Sequence, residues 1–184
     1  MINELFIDVK DRMNKAVDHY RHEVSTIRTG RASTSILDGV KVDYYGTPTP
    51  LNNIAHVSVP EGQLLVVQPF DPNSLELIEK AIIGSDVGIT PNNDGNVIRL
   101  NIPALTEERR KELVKIAYKI IEEGRVAVRN IRRDANDHLK KSEKEHDLSE
   151  DNLRRAMDNI QEMTDDHVKE LNIILDAKEK EIME

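Results

Sequence analysis

The residues with the clearest capacity for chemistry are the arginines of the stretch RVAVRNIRR, residues 125–133. On a helix, Arg125, Arg129 and Arg132 stand at i, i+4 and i+7, so they share one narrow face, and Arg133 lies further round. The five other residues of the stretch include no acid. Guanidinium groups present forked donors that match phosphate oxygens. The pattern therefore fits a phosphate-binding face aimed at structured RNA, and it also fits a solvated helix surface; the residues alone leave both open.

Charge is distributed unevenly along the chain, whose formal net charge is −8. Residues 104–148 carry 12 basic and 10 acidic groups, whereas residues 32–103 carry 3 and 8, and residues 149–184 carry 5 and 11. The segment that holds the arginine stretch is thus the basic element of an acidic protein. The net charge excludes a generally basic nucleic-acid coat protein, because phosphate repels such a chain on average, but it is compatible with a local basic patch.

The sequence lacks the usual signatures of catalysis. It has no cysteine, which excludes thiolate nucleophiles and cysteine-ligated metals, and it has no GxxxxGKS/T, GxGxxG, HExxH or GxSxG motif. His19 and His22 stand at i, i+3 on a helix, but no carboxylate completes a ligand pattern with them, so we expect a solvated pair. The adjacent carboxylates at 122–123 and 165–166 point about 100° apart on a helix and do not converge on a substrate. We therefore predict no catalytic residue, no metal site and no cofactor.

Proline and glycine divide the chain into three parts. All seven prolines and seven of the eight glycines lie between Gly30 and Pro103. These residues interrupt long helices and favour turns, so the sequence predicts helix, then a compact turn-rich insert, then more helix. We place a helical domain at 1–30 together with 105–184, and the inserted domain at 31–104.

The first flank carries apolar residues at steps of three and four, which is typical of one buried helical stripe. We expect this helix to end near Thr29-Gly30, with Gly30 in the left-handed conformation that closes many helices. Its stripe comprises Ile2, Leu5, Phe6, Val9, Met13, Ala16, Val17, Tyr20, Val24 and Ile27.

Two longer helices follow the insert. One is expected to open at Thr106 as N-cap and to run to about Glu145, and the other to open at Ser149. Gly124 falls on the core-facing stripe of the former, where a missing side chain permits close helix approach. Three apolar stripes of such length bury one another most simply as a three-helix bundle. The two predicted stripes are Leu113, Ile116, Ala117, Ile120, Gly124, Ala127, Ile131, Ala135 and Leu139, and then Leu153, Met157, Ile160, Met163 or Thr164, Val168, Leu171, Leu175 and Ile182.

The insert has the pattern of a small β/α domain. Residues 46–50 have turn chemistry. The chain enters and leaves the insert next to Gly30 and Pro103, which favours a hinge at these two crossings. Apolar patterns predict strands and a helix: the strands lie around 40–44, 55–59, 64–67 and 97–102, and the helix at 74–83.

Nothing in the sequence predicts a membrane protein. The longest apolar run, Leu64 to Val67, is far shorter than the ~20 residues that span a bilayer. The first residues mix acids into an amphipathic pattern unlike that of a signal or transit peptide. We therefore predict a cytoplasmic protein with no membrane partner.

Four segments of the sequence resemble the bacterial ribosome recycling factor family. They are TGRAS at 29–33, YYGTPTPL at 44–51, LTEERRKEL at 105–113 and RVAVRNIRRDAN at 125–136. Their order, their spacing and the total length match, so the resemblance covers essentially the whole chain. It implies an α+β protein in which a long three-helix bundle carries an inserted small β/α/β domain, L-shaped overall.

The resemblance also implies a function. Members of the family bind the post-termination ribosome at the subunit interface and, with elongation factor G and GTP, promote separation of the subunits and release of mRNA and tRNA. The bundle would contact RNA of the large ribosomal subunit, and the small domain would be the part that elongation factor G pushes. The protein would act as a monomer.

Carried over residue by residue, the resemblance assigns RNA contacts and a hinge. Arg129 and Arg132 are the first candidates for RNA contact. The further candidates are Arg28, Arg31 and Arg110, and then Arg109, Arg125 and Arg133. The hinge maps to Gly30, Arg31, Pro103 and Ala104.

Two other classes of protein remain open at this point. A helical adaptor or chaperone would expose an apolar groove for a protein partner and would tolerate arginine substitution. An enzyme would need a metal or carboxylate site in the insert.

Overall fold

The computed structural model describes all 184 residues, Met1–Glu184, and the chain forms two compact units. One unit comprises Met1–Thr29 and Glu107–Glu184, and the other comprises Gly30–Thr106. The chain therefore passes between the units twice. Long helices make up the first unit, and strands with one short α-helix make up the second. The α+β class predicted from the sequence is confirmed.

Strands and an α-helix occur together only in the second unit. The helices are α1 Ile2–Ser25, α2 Leu75–Ile83, α3 Glu107–Lys144 and α4 Glu150–Met183. The strands are β1 Lys41–Tyr44, β2 Thr47–Pro50, β3 Ala55–Glu61, β4 Leu64–Pro69, β5 Asn92–Asn93 and β6 Ile98–Asn101, with short 3-10 turns at Thr34–Leu37, Leu51–Asn53 and Pro72–Ser74.

The first unit is a three-helix bundle, because α1, α3 and α4 each pack against both of the others. Helix α3 runs unbroken for 38 residues, about 57 Å at 1.5 Å per residue, which confirms the predicted length. Helix α4 opens as predicted at Ser149, whose Oγ accepts a hydrogen bond from the Asn152 backbone N–H at 3.1 Å. No helix of the structure combines the length and the apolar character needed to cross a membrane.

The buried stripes differ from the predicted ones where two neighbouring residues compete for the core. In α3, Ile121 and Val128 are buried, whereas Ile116 is 41% exposed. Adjacent apolar residues fit a spacing of three or four equally well, and the partner helices decide which one faces inward. In α4, His167 is buried in place of the predicted Val168. Its Nδ1 donates to the Met163 carbonyl at 2.6 Å, and its Nε2 lies 2.7 Å from Asn14 Oδ1, so the ring is buried with polar partners.

Helix α1 ends at Ser25, four residues before the predicted end at Thr29-Gly30. Thr26 Oγ1 donates to the Glu23 carbonyl at 2.6 Å, and the Ser25 hydroxyl donates to the His22 carbonyl, so side chains occupy acceptors of the last turn. Gly30 does adopt the predicted left-handed conformation, with φ +76°. It closes no helix, however: a Cβ there would lie 2.9 Å from Leu105 Cγ.

The second unit contains two antiparallel sheets. Strands β1 and β2 form a hairpin, and the order in the four-stranded sheet is β3-β4-β6-β5. The predicted strands and the helix α2 are confirmed, but β2 lies where the turn chemistry of residues 46–50 predicts a turn. Pro48 and Pro50 lack backbone donors. These prolines are tolerated because β2 pairs only with β1. The turn itself is Tyr45-Gly46, with φ of +51° and +82°, as a two-residue hairpin loop requires.

Candidate nucleic-acid interface

Arg125 and Arg132 of α3 flank the buried stripe on the side where α4 packs. Arg125 and Arg132 both donate hydrogen bonds to side chains of α4, at Asn172 and Gln161 respectively. Tyr118, two turns earlier on α3, donates to Glu179 Oε2 at 3.2 Å. These three polar pairs form a line between the antiparallel helices, which we call the α3–α4 seam.

The Tyr118–Glu179 pair lies at the end of the seam that carries a negative charge. The charge of the Glu179 carboxylate, together with the hydrogen bond to it, raises the pKa of the Tyr118 phenol. The phenol therefore stays protonated and acts as a donor at neutral pH. The electrostatic character of the seam thus changes along its length, from a carboxylate at one end to guanidinium groups further on.

Arg125 is tied into the bundle rather than available to a ligand. Its Nε and Nη2 donate to the same Asn172 oxygen, at 3.0 and 2.6 Å, and its Nη1 donates to Glu122 Oε2 at 2.9 Å. The side chain is only 20% exposed. Three of its five N–H donors are therefore engaged within the protein.

Arg132 makes one hydrogen bond within the protein, and most of its N–H donors make none. Its Nη1 donates to Gln161 Oε1 at 3.2 Å, and Gln161 Nε2 in turn donates to Asp165 Oδ1 at 2.9 Å. No carboxylate approaches the guanidinium within ion-pair distance. The group is thus fixed at one corner, and its charge is not offset by a direct partner.

Arg129 and Arg133 are the more open members of the face. Arg129 has a side chain 46% exposed and lies 3.6 Å from Glu122 Oε1, an ion pair beyond hydrogen-bond distance. Arg133 is exposed, and it forms no ion pair or hydrogen bond in the structure. Glu122 therefore faces two of the arginines, Arg125 from one turn upstream and Arg129 from two turns upstream. The sequence indicates Glu122 only as one of two non-converging carboxylates, because it lies outside the stretch 125–133 whose charges define the arginine face.

The remaining predicted arginines lie elsewhere. Arg110 is half-buried at the start of α3, and its Nη1 donates to the Met183 carbonyl at 3.2 Å. Arg109 pairs with Glu112 at 2.8 Å. Arg28 lies in the helical unit after α1, whereas Arg31 belongs to the other unit. Arg110 and Arg125 are 15 residues apart on α3, so about 22 Å separates these two arginines along the helix axis.

Gly124 packs as predicted, on the core side of α3 next to Arg125. A Cβ at this position would lie 3.1 Å from two ring carbons of Tyr20 and 3.3 Å from Leu171 Cδ1. Helices α1 and α4 therefore both approach α3 closely at the point where the arginine stretch begins. Close packing on two sides makes this part of α3 a firm support for the side chains on its outer face.

Titratable groups elsewhere do not gather into a site. His19 and His22 are exposed on α1, and Glu122 and Glu123 are exposed on α3. No group of three or more histidine, aspartate or glutamate side chains is arranged to hold a metal ion. Gln161 and Asn172 are functional candidates that the sequence does not indicate, since the spacing of α4 predicts only a packing role for that helix. No local signal identifies them; their role depends on the register between α3 and α4.

Comparison with known proteins gives concordant results at the level of family, sequence and fold. The family model described as ribosome recycling factor matches residues 20–183. The ribosome-recycling factor of Syntrophomonas wolfei is 56% identical over 184 residues, covering 100% of both chains.

Two solved structures are similar to this chain over nearly its whole length. A solution structure of a ribosome recycling factor is 43% identical with a TM-score of 0.78, covering 99% of this chain and 97% of that one. A second structure presents the T. thermophilus ribosome recycling factor and the E. coli elongation factor G bound to the E. coli post-termination complex. Its matching chain is 46% identical with a TM-score of 0.65, and the match covers 100% of both chains.

Proposed function

This chain belongs to the ribosome recycling factor family, and from that premise we propose that the arginines of α3 bind RNA of the large ribosomal subunit. The family function is ribosome recycling and is not enzymatic. In our proposal the protein binds as a monomer at the subunit interface of the post-termination ribosome. With elongation factor G and GTP it then promotes separation of the subunits and release of mRNA and tRNA.

The guanidinium groups of Arg129, Arg132 and Arg133 carry this proposal; Arg129 and Arg133 are exposed and Arg132 is partly exposed. Arg132 has free donors and no carboxylate partner, Arg133 is exposed, and Arg129 is only loosely paired with Glu122. Arginine donors match the oxygens of a phosphate group, and such charge-assisted bonds are shorter and stronger than neutral ones. Arg125 contributes less in this proposal, since three of its five N–H donors already bind Asn172 and Glu122.

The stiffness of the bundle allows force to be transmitted to these contacts. Helix α3 is continuous over 38 residues and packs against α1 and α4. A helix supported along its length by two others resists bending, because closely packed interiors have low compressibility. A force applied at one part of the bundle is therefore transmitted to the arginine face rather than absorbed.

The second unit is the proposed point of action for elongation factor G. Residues 32–103 carry 3 basic and 8 acidic groups, so this unit is acidic while α3 is basic. We propose that Gly30, Arg31, Pro103 and Ala104, at the two chain crossings, form the hinge on which it moves. The chain has no phosphate-binding loop, so in this scheme GTP is bound and hydrolysed by the partner.

Light scattering of post-termination ribosomes tests the proposal. We expect scattering to fall, as subunits separate, when this protein, elongation factor G and GTP are all present. The signal should stay constant when any one is left out or when a non-hydrolysable GTP analogue replaces GTP. Constant scattering with all three present would contradict the proposed function.

A further inference from the structure

Helix α4 is acidic, yet it meets the arginine face with neutral side chains. Residues 149–184 include 11 acidic and 5 basic groups. The two α4 side chains that contact Arg125 and Arg132 are nevertheless the amides of Asn172 and Gln161. A carboxylate at either place would form a salt bridge with the guanidinium instead.

The contact at Arg132 is built from two steps. Asp165 Oδ1 accepts a hydrogen bond from Gln161 Nε2, which turns Gln161 Oε1 towards Arg132 Nη1. Asp165 lies one helical turn after Gln161, so both residues are held by the backbone of the same helix. The carboxylate thus orients the amide, and the amide orients the guanidinium, while no acid touches the guanidinium itself.

An amide oxygen and a carboxylate oxygen differ in what they do to the charge of an arginine. Both accept the same hydrogen bond, but only the carboxylate brings a negative charge that competes with an incoming phosphate. The two contacts of the seam differ in this respect. Arg125 has Glu122 as a direct acidic partner in addition to Asn172, whereas Arg132 has the amide alone.

We propose that Gln161 is a positioning residue of the RNA-binding face: it fixes the Arg132 guanidinium without neutralising its charge. This inference rests on the proposed function. It assigns to α4 a role beyond packing, since α4 then sets both the orientation and the effective charge of the arginine. Arg132 reaches the phosphate already oriented, so less side-chain freedom is lost on binding.

A pair of amide-to-acid substitutions on α4 tests the inference. Gln161→Glu keeps the size of the side chain and adds a negative charge beside Arg132. Asn159→Asp adds the same charge two residues away, at an exposed position about 160° round the helix with no side-chain bond of its own. Binding of each variant to isolated large ribosomal subunits would be measured over a range of KCl concentrations, with thermal unfolding followed by circular dichroism.

We expect Gln161→Glu to weaken binding about fivefold or more, and to lower the slope of log affinity against log salt by about one phosphate contact. Its melting temperature should change little, because the new salt bridge to Arg132 offsets the lost hydrogen bond to Asp165 and the repulsion between the two carboxylates. Asn159→Asp should bind like the unaltered protein. Asn172→Asp should have a smaller effect than Gln161→Glu, since Glu122 already offsets Arg125. A purely structural role for Gln161 would change the melting temperature and leave the salt slope unaltered, whereas a role in binding changes the salt slope.

Two outcomes separate this inference from the function on which it rests. If Arg132→Ala weakens binding but Gln161→Glu behaves like Asn159→Asp, the positioning role is wrong and the RNA-binding face stands. If Arg132→Ala itself binds normally, the RNA-binding face is wrong and the positioning role is wrong with it.

Discussion

Gly124 of α3 lies directly against the ring of Tyr20 on α1: a Cβ at Gly124 would fall 3.1 Å from Tyr20 Cγ and Cδ2. Leu171 of α4, which is fully buried, closes the space from the other side. The three helices of the bundle therefore come close together one residue before Arg125. The geometry of the arginine face depends on this contact, because it sets the distance between α3 and α4 along the seam.

Filling this contact should destabilise the bundle. Gly124→Val places two methyl groups where a single carbon is already crowded, and overpacking of this kind costs about 1–3 kcal/mol. The free energy of unfolding, measured in urea, should fall by that amount. Ala177→Val, at an exposed position of α4, is the control and should change stability by no more than about 0.7 kcal/mol. Equal effects of the two substitutions would show that the helices do not meet closely at Gly124.

Glu122 limits the charge of the arginine face, since it pairs with Arg125 at 2.9 Å and with Arg129 at 3.6 Å. Glu122→Gln should release Arg129 and tighten binding to large ribosomal subunits about two- to fivefold, with a stability loss of at most about 1 kcal/mol. Glu123→Gln removes the same charge from the next position, which is exposed and points elsewhere. An equal gain from both variants would mean that only the net charge matters.

Asp94 gives the second unit a defined pH dependence. Its carboxylate accepts hydrogen bonds from the backbone N–H groups of Val97 and Asn96 and from the Arg99 guanidinium, and these lower its pKa from 3.8 to about 2. Because the pKa is lower in the folded protein, the stabilisation is complete above pH ~4 and is lost as the pH falls towards 2. Asp94→Asn should therefore lower the melting temperature at pH 7, and the difference should shrink between pH 4 and pH 2.

The control for Asp94 is Asp86→Asn, an exposed carboxylate in the same unit. It should leave the melting temperature unchanged across this range. A difference between Asp94→Asn and the unaltered protein that is constant from pH 7 to pH 2 would contradict the assignment.

Gly30 and Leu105 should be energetically coupled. Gly30→Ala introduces a Cβ at a left-handed residue, which costs about 1–2 kcal/mol, and pushes it to 2.9 Å from Leu105 Cγ. In a Leu105→Ala background the clash with the Leu105 side chain disappears, whereas the 3.3 Å approach to the Leu105 backbone nitrogen and the cost of the left-handed conformation remain. A double-mutant cycle by urea unfolding should therefore give a non-zero coupling energy. Strict additivity would show that the two residues do not touch.

Much of this fold follows from local sequence. Ser149 can cap α4, the spacing from Thr106 onward supports one long helix, and Gly124 on a core stripe predicts close packing; all three predictions are confirmed. Each depends on residues within one or two turns. The end of α1 was missed because the hydroxyls of Ser25 and Thr26 compete locally for the last carbonyls of the helix.

The site could be predicted only in part. Local spacing places Arg125, Arg129 and Arg132 on one side of a helix, but it does not show that Arg125 is bound by Asn172 while Arg132 keeps free donors. That difference is set by the register of α4 against α3, which brings residues 47 and 29 positions apart together. No pattern within one helix carries such information.

The most direct test of the account is the salt dependence of binding by Arg132→Ala. Its affinity for large ribosomal subunits would be compared with that of the unaltered protein and of Arg155→Ala, which removes an exposed arginine paired with Asp151 on α4. The account predicts weaker binding for Arg132→Ala alone, with the salt slope reduced by about one and the melting temperature unchanged. Affinity and slope equal to those of Arg155→Ala would contradict it.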